Sequence, residues 1–394
     1  MAFGFSYHSS TKVVFGRDSE NKVGKLIKEF GGKRVLIHYG GKSALSSGLI
    51  DRVKSILDEE GIYHVELGGV VPNPHLGLVR TGAKLCEKEG IDFILAVGGG
   101  SVIDSAKAIA YALGEPDKDV WELFLHKRAP KACFPLGSIL TISAAGSETS
   151  ASCVITNEET REKRSCNSDM ARPKFAIMNP VLTMTLPDYQ TGAGCADIMM
   201  HTMERYFTNG GNMEITDSIA EGLLKTVIKN AKILHKEPDN YDARAEVMWA
   251  GSISHNGLTG LGNDGGDFMS HKLEHEMGGL FDVTHGAGLT AIWPSWARYV
   301  YKNCLSRFVK YAVNVMEVAP GESDEETALR GIEAMEDFYR EIGMPINMRE
   351  LGIEPTDEEI EIMAEGCIKA CGKPSGSAMV LDKEDFVVIY KNAR

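Results

Sequence analysis

The sequence predicts two structural classes in one chain: an α/β domain built on a parallel sheet over residues 1–190, then an all-α domain over residues 191–394. Three observations carry this expectation. In the first half, short β-rich apolar runs alternate with amphipathic helical patterns, as βαβ units do. Past residue 190 the β-rich runs stop and most long segments carry helical periodicity. Between the two halves lies TLPDYQTGAG (185–194), rich in residues that break regular structure.

The elements follow in order. KRVLIHY (33–39) reads as a strand buried on both faces, because its apolar residues run on instead of alternating, and a helical stretch follows over 45–60. IYHVEL (62–67) is a second strand, and LGLVRTGAKLCEKEG (76–90) has amphipathic helical spacing. DFILAV (92–97) is a third strand that runs through GGGS into the helical pattern VIDSAKAIAYAL (102–113). FPLGSILTI (134–142) and KFAIMN (174–179) are further strands. In the second half helices are expected over 212–236, 241–258, 266–277, 303–317 and 322–342. No internal repeat or low-complexity tract interrupts the chain.

Composition narrows the function classes. Hydrophobic residues make up 43% and charged residues 25%, as in ordinary globular proteins. The formal net charge of −13 argues against a general polyanion-binding role but leaves room for a local phosphate pocket. Eight cysteines are scattered with no CxxC, which reads as reduced, mostly buried thiols of a cytoplasmic protein. Cys367 and Cys371 share a helix face, a spacing that fits packing better than metal binding. The N-terminal MAFGFSYHSSTKVVFG lacks the pattern of a signal peptide, and no window approaches the roughly 20 apolar residues that span a bilayer. A soluble, cytoplasmic protein is expected.

The glycine turn is the first chemical clue. LAVGGGSVIDSAKAIA joins a strand directly to a helix, with Gly98, Gly99 and Gly100 at the junction and Ser101 and Asp104 in the first helical turn. Glycines there let the backbone approach a phosphate, while the amides of the helix N-terminus supply donors. Alone, GGGS is a bland tight turn; between a strand and a helix it favours a nucleotide, and hence a dinucleotide-binding domain. After KRVLIHY the chain reads Gly40-Gly41-Lys42-Ser43, with no carboxylate to bind a ribose 2′-hydroxyl and repel a 2′-phosphate. That favours NADP(H) over NAD(H), against the plainer reading of a turn with a solvated lysine. TISAAGSETS (141–150) is a second loop of small residues after a strand; in isolation it reads as a plain loop, and beside the glycine turn its Thr141 and Ser147 are candidates to hold pyrophosphate or the nicotinamide carboxamide.

The second clue is histidine. CADIMMHTMER (195–205) carries Asp197 and His201 at i,i+4 spacing on one helix face, and SHKLEHEMGGLFDVTHG (270–286) supplies His271, His275 and His285. Gly278 and Gly279 are expected to end the helix that carries His271 and His275, leaving His285 beyond the turn and able to fold back. One carboxylate with up to four imidazoles suits Fe²⁺ or Zn²⁺, whereas Ca²⁺ and Mg²⁺ prefer oxygen shells. A lone histidine is more often a satisfied core residue, and the histidines at 8, 38, 64, 75, 126, 235 and 255 are read that way. The methionines at 199, 200 and 203 fit a packed helix core.

Together these residues resemble the iron-containing (group III) alcohol dehydrogenase family, in its butanol dehydrogenase branch of NADPH-dependent aldehyde reductases. The resemblance covers nearly the whole chain. VGGGSVIDSAKAIA, the GSE of TISAAGSETS, D-x3-H at 197–201 and H-x3-H…H at 271–285 carry it, supported by VVPNP (70–74) and the YGGKS turn. It implies an N-terminal dinucleotide-binding domain and a C-terminal helical metal-binding domain, with the active site in the cleft between them. It also implies Asp197, His201, His271 and His285 as ligands of one divalent metal, Fe²⁺ or Zn²⁺, with His275 left beside the metal. Residues matching cofactor contacts are Gly40, Ser43, Asn73, Gly99, Gly100, Ser101, Asp104, Thr141, Ser147, Lys163 and Leu182. GGKS stands where much of the branch has a third glycine, and AAGSE replaces the AGTGSE of diol-oxidising relatives.

The expected activity is reversible hydride transfer between NADP(H) and a small aldehyde or primary alcohol. His275 and Asp104 are the candidate catalytic residues, His275 as a proton relay. A homodimer is expected, with no nucleic-acid or membrane partner. Two other readings compete. A lyase or polyol-phosphate dehydrogenase of the dehydroquinate synthase-like fold would need more basic residues near the metal than Lys272, the one lysine of 260–290. A non-catalytic nucleotide and metal sensor would need a partner module, and none is visible.

Overall fold

The structure, a computed structural model, describes residues 2–211 and 213–394, with the side chains of Lys42 and Ser43 outside that description. His8–Thr185 form one compact unit; Leu186–Arg394, together with the segment up to Tyr7, form the other.

The first unit is a six-stranded parallel sheet flanked by helices, with strand order β1-β8-β5-β4-β2-β3. The strands are β1 (Lys12–Phe15), β2 (Arg34–Tyr39), β3 (Tyr63–Leu67), β4 (Phe93–Gly98), β5 (Leu136–Leu140) and β8 (Phe175–Met178). The four inner strands are almost wholly buried, which is why their sequences read as unbroken apolar runs. The edge strands β1 and β3 are only partly buried and mix polar residues in. Helices Leu49–Glu59, Leu76–Glu89 and Gly100–Gly114 lie between successive strands as expected.

The order reverses direction at one place. From β2 the chain moves outward to the edge strand β3, and from β4 it moves the other way, to β5. The neighbouring carboxyl ends of β2 and β4, in register at Tyr39 and Val97, therefore form the switch point where open α/β sheets bind ligands. Both glycine turns begin there.

Helices Val23–Glu29 and Trp121–Phe124 were not expected, nor were two features of the strands. Strand β1 is short and at the edge. An antiparallel hairpin, β6 (Ser152–Asn157) and β7 (Glu162–Asn167), sets Thr156 opposite Lys163 outside the main sheet. Its second strand, EKRSCN, is too polar to read as a strand by pattern.

The second unit is built mainly of helices, with an antiparallel bridge between Ser375 and Leu381. At its centre the Asp188–Tyr206 helix packs against helices Glu214–Lys236, Tyr241–His255 and His285–Val300. Residue 212, the expected start of the second of these, lies outside the described residues. Helices Met269–Phe281, Leu305–Asn314, Asp324–Glu341, Met348–Leu351, Asp357–Cys371 and Lys383–Ala393 also belong to the unit. Its core is rich in aromatics: Phe207 stacks on Phe308 with ring centroids 4.2 Å apart, beside the fully buried Trp293 and Trp296.

Three expectations fail here for one physical reason, that glycine and proline sit inside these helices. The stretch 185–194 is helical from Asp188 onward. The Met269–Phe281 helix runs through Gly278 and Gly279 and ends only at Asp282, which adopts the left-handed conformation (φ 50°) usual for a capping glycine. The His285–Val300 helix, interrupted in pattern by Gly286, Gly288 and Pro294, was not expected at all. Gly286 shows what such residues do: a Cβ there would stand 2.0 Å from the Ala193 carbonyl oxygen. The two helices touch backbone to backbone at that point. Among the described residues no helix is long and apolar enough to cross a membrane.

Candidate functional site

A cluster of metal-ligating side chains forms inside the helical unit. Asp197 and His201 sit one turn apart on the central helix, both buried. His271 comes from the third residue of the Met269–Phe281 helix. His285 is the first residue of the next helix, which the Ala193–Gly286 contact presses against the central one. All three imidazoles approach one atom, Asp197 Oδ1: His201 Nδ1 at 3.2 Å, His271 Nε2 at 3.6 Å and His285 Nε2 at 3.8 Å.

The decisive detail is what the other ring nitrogens do. His201 Nδ1 donates to the Asp197 carbonyl oxygen at 3.0 Å, within its own helix. His271 Nδ1 donates to Glu204, and His285 Nδ1 donates to Glu274. Carbonyls and carboxylates only accept, so each Nδ1 carries the proton and each Nε2 is left as a ligand. Two of the converging atoms, Asp197 Oδ1 and His271 Nε2, are buried with no hydrogen-bond partner. Orphaned polar atoms at this depth are costly, and a divalent cation bound by a carboxylate and imidazoles satisfies them. The donor set fits Fe²⁺ or Zn²⁺.

The electrostatics agree. Burial alone would raise the Asp197 carboxyl, but His201, His285 and His271 outweigh it and hold it well below the usual carboxylate range. Burial likewise works to lower His271, yet Glu204 and Asp197 on either side push it up to about 9. Burial keeps His201 well below the ordinary imidazole value. Without a metal the site therefore draws positive charge to the point between Asp197 and Glu204.

His275 lies one turn beyond His271, half-buried, with its ring centroid 5.7 Å from that of His285 and 6.1 Å from that of His271. It groups with Glu274 and His285 more closely than with Asp197. Sequence reading missed Glu204 and Glu274. Both are charged residues at wholly buried positions, 1% and 0% exposed. A signal existed: each is a glutamate within one turn of a candidate ligand, in a helix whose other buried positions are mostly apolar. His255, read as isolated, is not: its ring centroid lies 4.0 Å from that of His201, and Arg205 Nη2 donates to its Nδ1 at 3.3 Å.

The nucleotide candidates gather in the α/β unit, by the carboxyl ends of adjacent strands. Gly40 follows β2, Gly99 and Gly100 follow β4, Thr141 follows β5, and Leu182 lies in the turn Pro180–Thr183 after β8. Gly99 is the N-cap of the Gly100–Gly114 helix, whose first turn holds Ser101 and Asp104. The close packing of this turn explains its glycines: a Cβ on Gly98 would meet Val102 at 2.5 Å, and one on Gly99 would meet Ile142 at 3.0 Å. Asn73, after β3, has a left-handed backbone (φ 54°). Lys163 approaches that loop through the hairpin, because its partner Thr156 donates its N–H to the Pro74 carbonyl at 2.9 Å. The side chains of Lys42 and Ser43 lie outside the described residues.

Asp104 and Ser147 are tied to each other. The Ser147 hydroxyl donates to Asp104 Oδ1 at 2.5 Å and accepts from the buried Lys107 ammonium at 2.9 Å, while Asp104 Oδ2 accepts the Val154 N–H at 2.9 Å. These bonds fasten the 141–150 loop and the start of β6 to the helix of the glycine turn.

Comparison with known proteins gives the family of the chain. Residues 10–180 match the family described as iron-containing alcohol dehydrogenase, and residues 191–394 match the C-terminal domain of the Fe-containing alcohol dehydrogenase family. The chain is 39% identical over 390 residues to NADH-dependent butanol dehydrogenase A of Clostridium acetobutylicum, covering 99% of each. It is 35% identical to the NADPH-dependent aldehyde reductase YqhD of Escherichia coli, covering 89% of each. The solved structure of NADH-dependent butanol dehydrogenase A from Thermotoga maritima superposes with a TM-score of 0.94 at 39% identity, over 99% of this chain and 98% of that one.

Proposed function

The chain belongs to the iron-containing alcohol dehydrogenase family, and we propose that it interconverts small aldehydes and primary alcohols with NADP(H), using one Fe²⁺ or Zn²⁺ ion held by Asp197, His201, His271 and His285. The observation that carries the metal assignment is the convergence of three imidazoles, each with Nδ1 held by a carbonyl or carboxylate, on Asp197, with the Nε2 atoms of His271 and His285 turned toward its buried Oδ1.

When bound, the ion supplies Lewis-acid polarisation of a carbonyl oxygen, and the nicotinamide supplies or accepts the hydride. The chain's own residues do the rest. Asp197 offsets part of the cation's charge inside an apolar helix. The imidazoles fix where the ion sits, and their rings, held by carboxylates and a carbonyl, need no reorganisation as charge develops. His275 stands beside the ligands and outside their set, and it holds or passes the proton that an alkoxide oxygen takes up or releases. Asp104, with one carboxylate oxygen hydrogen-bonded to the 141–150 loop and the other to β6, acts by holding the cofactor cradle in shape.

The preference for NADP(H) rests on the Gly40–Ser46 segment, which offers no carboxylate after β2 to repel a 2′-phosphate. The butanol dehydrogenases at similar identity are named NADH-dependent and YqhD NADPH-dependent, so a kinetic comparison decides. A homodimer in the cytoplasm completes the reading, checked by light scattering on the purified protein. The lyase and sensor readings have no such support, since the matched family is one of oxidoreductases.

The experiment is elemental analysis of the purified chain beside an assay with butanal and either NADPH or NADH. About one metal per chain, NADPH oxidation lost on chelation and restored by Fe²⁺ or Zn²⁺, and a higher kcat/KM with NADPH are expected. A preference for NADH removes the 2′-phosphate inference. Full activity in metal-free protein removes the metal. His275→Ala is expected to keep the metal and lower kcat with an altered pH profile.

A further inference from the structure

We propose that Glu204 is a positioning residue for the metal: it dictates which ring nitrogen of His271 carries a proton and thereby keeps Nε2 open as a ligand. The inference rests on the ligand assignment above and extends it to a residue outside the ligand set. Glu204 is 1% exposed and lies on the central helix, three residues after His201. Its Oε1 accepts the His271 backbone N–H at 3.0 Å, and its Oε2 accepts the Nδ1–H of the same residue. Both carboxylate oxygens are therefore used on one ligand. The backbone adds to the grip: the Glu204 carbonyl accepts the Asp267 N–H at 2.8 Å, just before the helix that carries His271.

The consequence follows from the competing arrangement. His271 Nε2 lies 3.6 Å from Asp197 Oδ1, and both atoms are otherwise without partners. A neutral His271 with its proton on Nε2 would donate to that oxygen after a small adjustment. The pair would satisfy both buried atoms, and it would consume the lone pair that a metal needs. Glu204 denies this tautomer to the neutral ring, because a carboxylate cannot donate and Nδ1 must therefore keep its proton, so that the proton given up when a metal arrives is the one on Nε2.

Glutamine, of almost the same shape, cannot do the same. The His271 backbone N–H only donates, so it claims the one amide oxygen. The NH₂ group then faces Nδ1 and donates to it, the ring proton moves to Nε2, and Asp197 accepts it. Glu204→Gln thus sets the wrong tautomer while leaving volume and burial almost unchanged. Glu274 holds His285 Nδ1 in a similar way, but that imidazole is 27% exposed, so water can replace a lost acceptor and the matching Glu274→Gln effect is smaller.

The full-length protein is stripped of metal and titrated with Zn²⁺ against a chromophoric chelator, and the histidine ring nitrogens are followed by ¹⁵N NMR. Glu204→Gln is expected to weaken zinc binding by about 10–100-fold with an unchanged far-UV spectrum. His271 Nδ1 is expected to be protonated in the wild type and unprotonated in the variant. Equal zinc affinity in the two proteins overturns the inference alone. A wild type that binds neither Zn²⁺ nor Fe²⁺ overturns the ligand assignment and the inference with it. Should the variant fail to fold, the wild-type spectrum still decides, because an unprotonated His271 Nδ1 contradicts the proposal.

Discussion

The proposed metal cluster and the proposed nucleotide cradle are built on opposite principles. The cluster is made of side chains sunk in a helical core, where each polar atom needs a partner and two converging ones have none. The cradle is made largely of backbone at strand ends, shaped by glycines that admit no Cβ, with side chains used mainly to brace the loops. Burial makes the first site rigid and intolerant, since removing one partner leaves another charge stranded. Backbone donors make the second site tolerant of side-chain change, because the amides stay wherever the turn keeps its shape. Substitutions in the cluster should therefore act nearly all-or-none, and those in the cradle by degrees.

The largest effect is expected for Asp197→Asn. It removes the carboxylate on which three imidazoles converge and leaves a neutral amide, a much weaker ligand that offsets none of the cation's charge. Metal content should fall below one tenth of the wild-type level and kcat/KM for the aldehyde by about a thousand-fold, several kcal/mol of lost charge stabilisation. A variant that keeps its metal would break the comparison at its strongest point.

Next comes Gly286→Ala, which touches no ligand. The added methyl would lie 2.0 Å from the Ala193 carbonyl oxygen, so the two central helices must separate, and His285 is the adjacent residue. Overpacking of this kind costs about 1–3 kcal/mol. Thermal unfolding should shift downward, and zinc retention should drop by about tenfold through displacement of His285. Unchanged melting temperature and metal content would show that the helices need no backbone contact there.

Asp104→Asn tests the cradle. Asparagine keeps an acceptor for one of Ser147 and Val154 but not the charge, so the dissociation constant for NADPH should rise by about tenfold with metal content unchanged. A complete loss of cofactor binding would make the cradle as brittle as the cluster.

The smallest expected effect on function lies at His38 in the α/β core. Its Nδ1–H donates to the Leu67 carbonyl at 2.8 Å, its Nε2 lies 2.8 Å from the Ser105 hydroxyl, and burial pushes its pKa down to about 4. The folded protein thus binds fewer protons than the unfolded chain between that value and about 6.5. Stability from neutral His38 is complete above about pH 6.5 and is lost as pH falls through the folded value, about 2 kcal/mol of it by pH 5. Urea midpoints at pH 7.5 and pH 5 should show this dependence in the wild type and less of it in His38→Asn. Equal pH dependence in the two proteins would remove the assignment.

The two sites were also unequally legible in the sequence. The strands and the glycine turn were legible, because inner parallel strands read as unbroken apolar runs and glycines between a strand and a helix mark a tight junction. The D-x3-H pair and the H-x3-H…H block were legible as chemistry for a related reason: charged and imidazole groups in an apolar helix need an explanation. Spacing alone could not separate His275 from the ligands, since it shares a helix face with His271. Nor did it single out Glu204 and Glu274, whose placement within one turn of a candidate ligand was the one signal and whose role is fixed by their contacts. The same limit applies to the helices around the cluster. Gly192, Gly278, Gly279, Gly286 and Pro294 read as breakers, yet they lie inside helices, and at Gly192 and Gly286 a Cβ would meet neighbouring backbone. Local propensity was overruled there by the packing that brings His285 to Asp197.

The most direct measurement is a crystal structure of the zinc- or iron-loaded protein with anomalous data collected at the metal edge. One peak is predicted, about 2.0–2.2 Å from Asp197 Oδ1 and from the Nε2 atoms of His201, His271 and His285, with Nδ1 of the last two still on Glu204 and Glu274. A peak instead among Glu274, His275 and His285, or ligation through any Nδ1, would contradict the account.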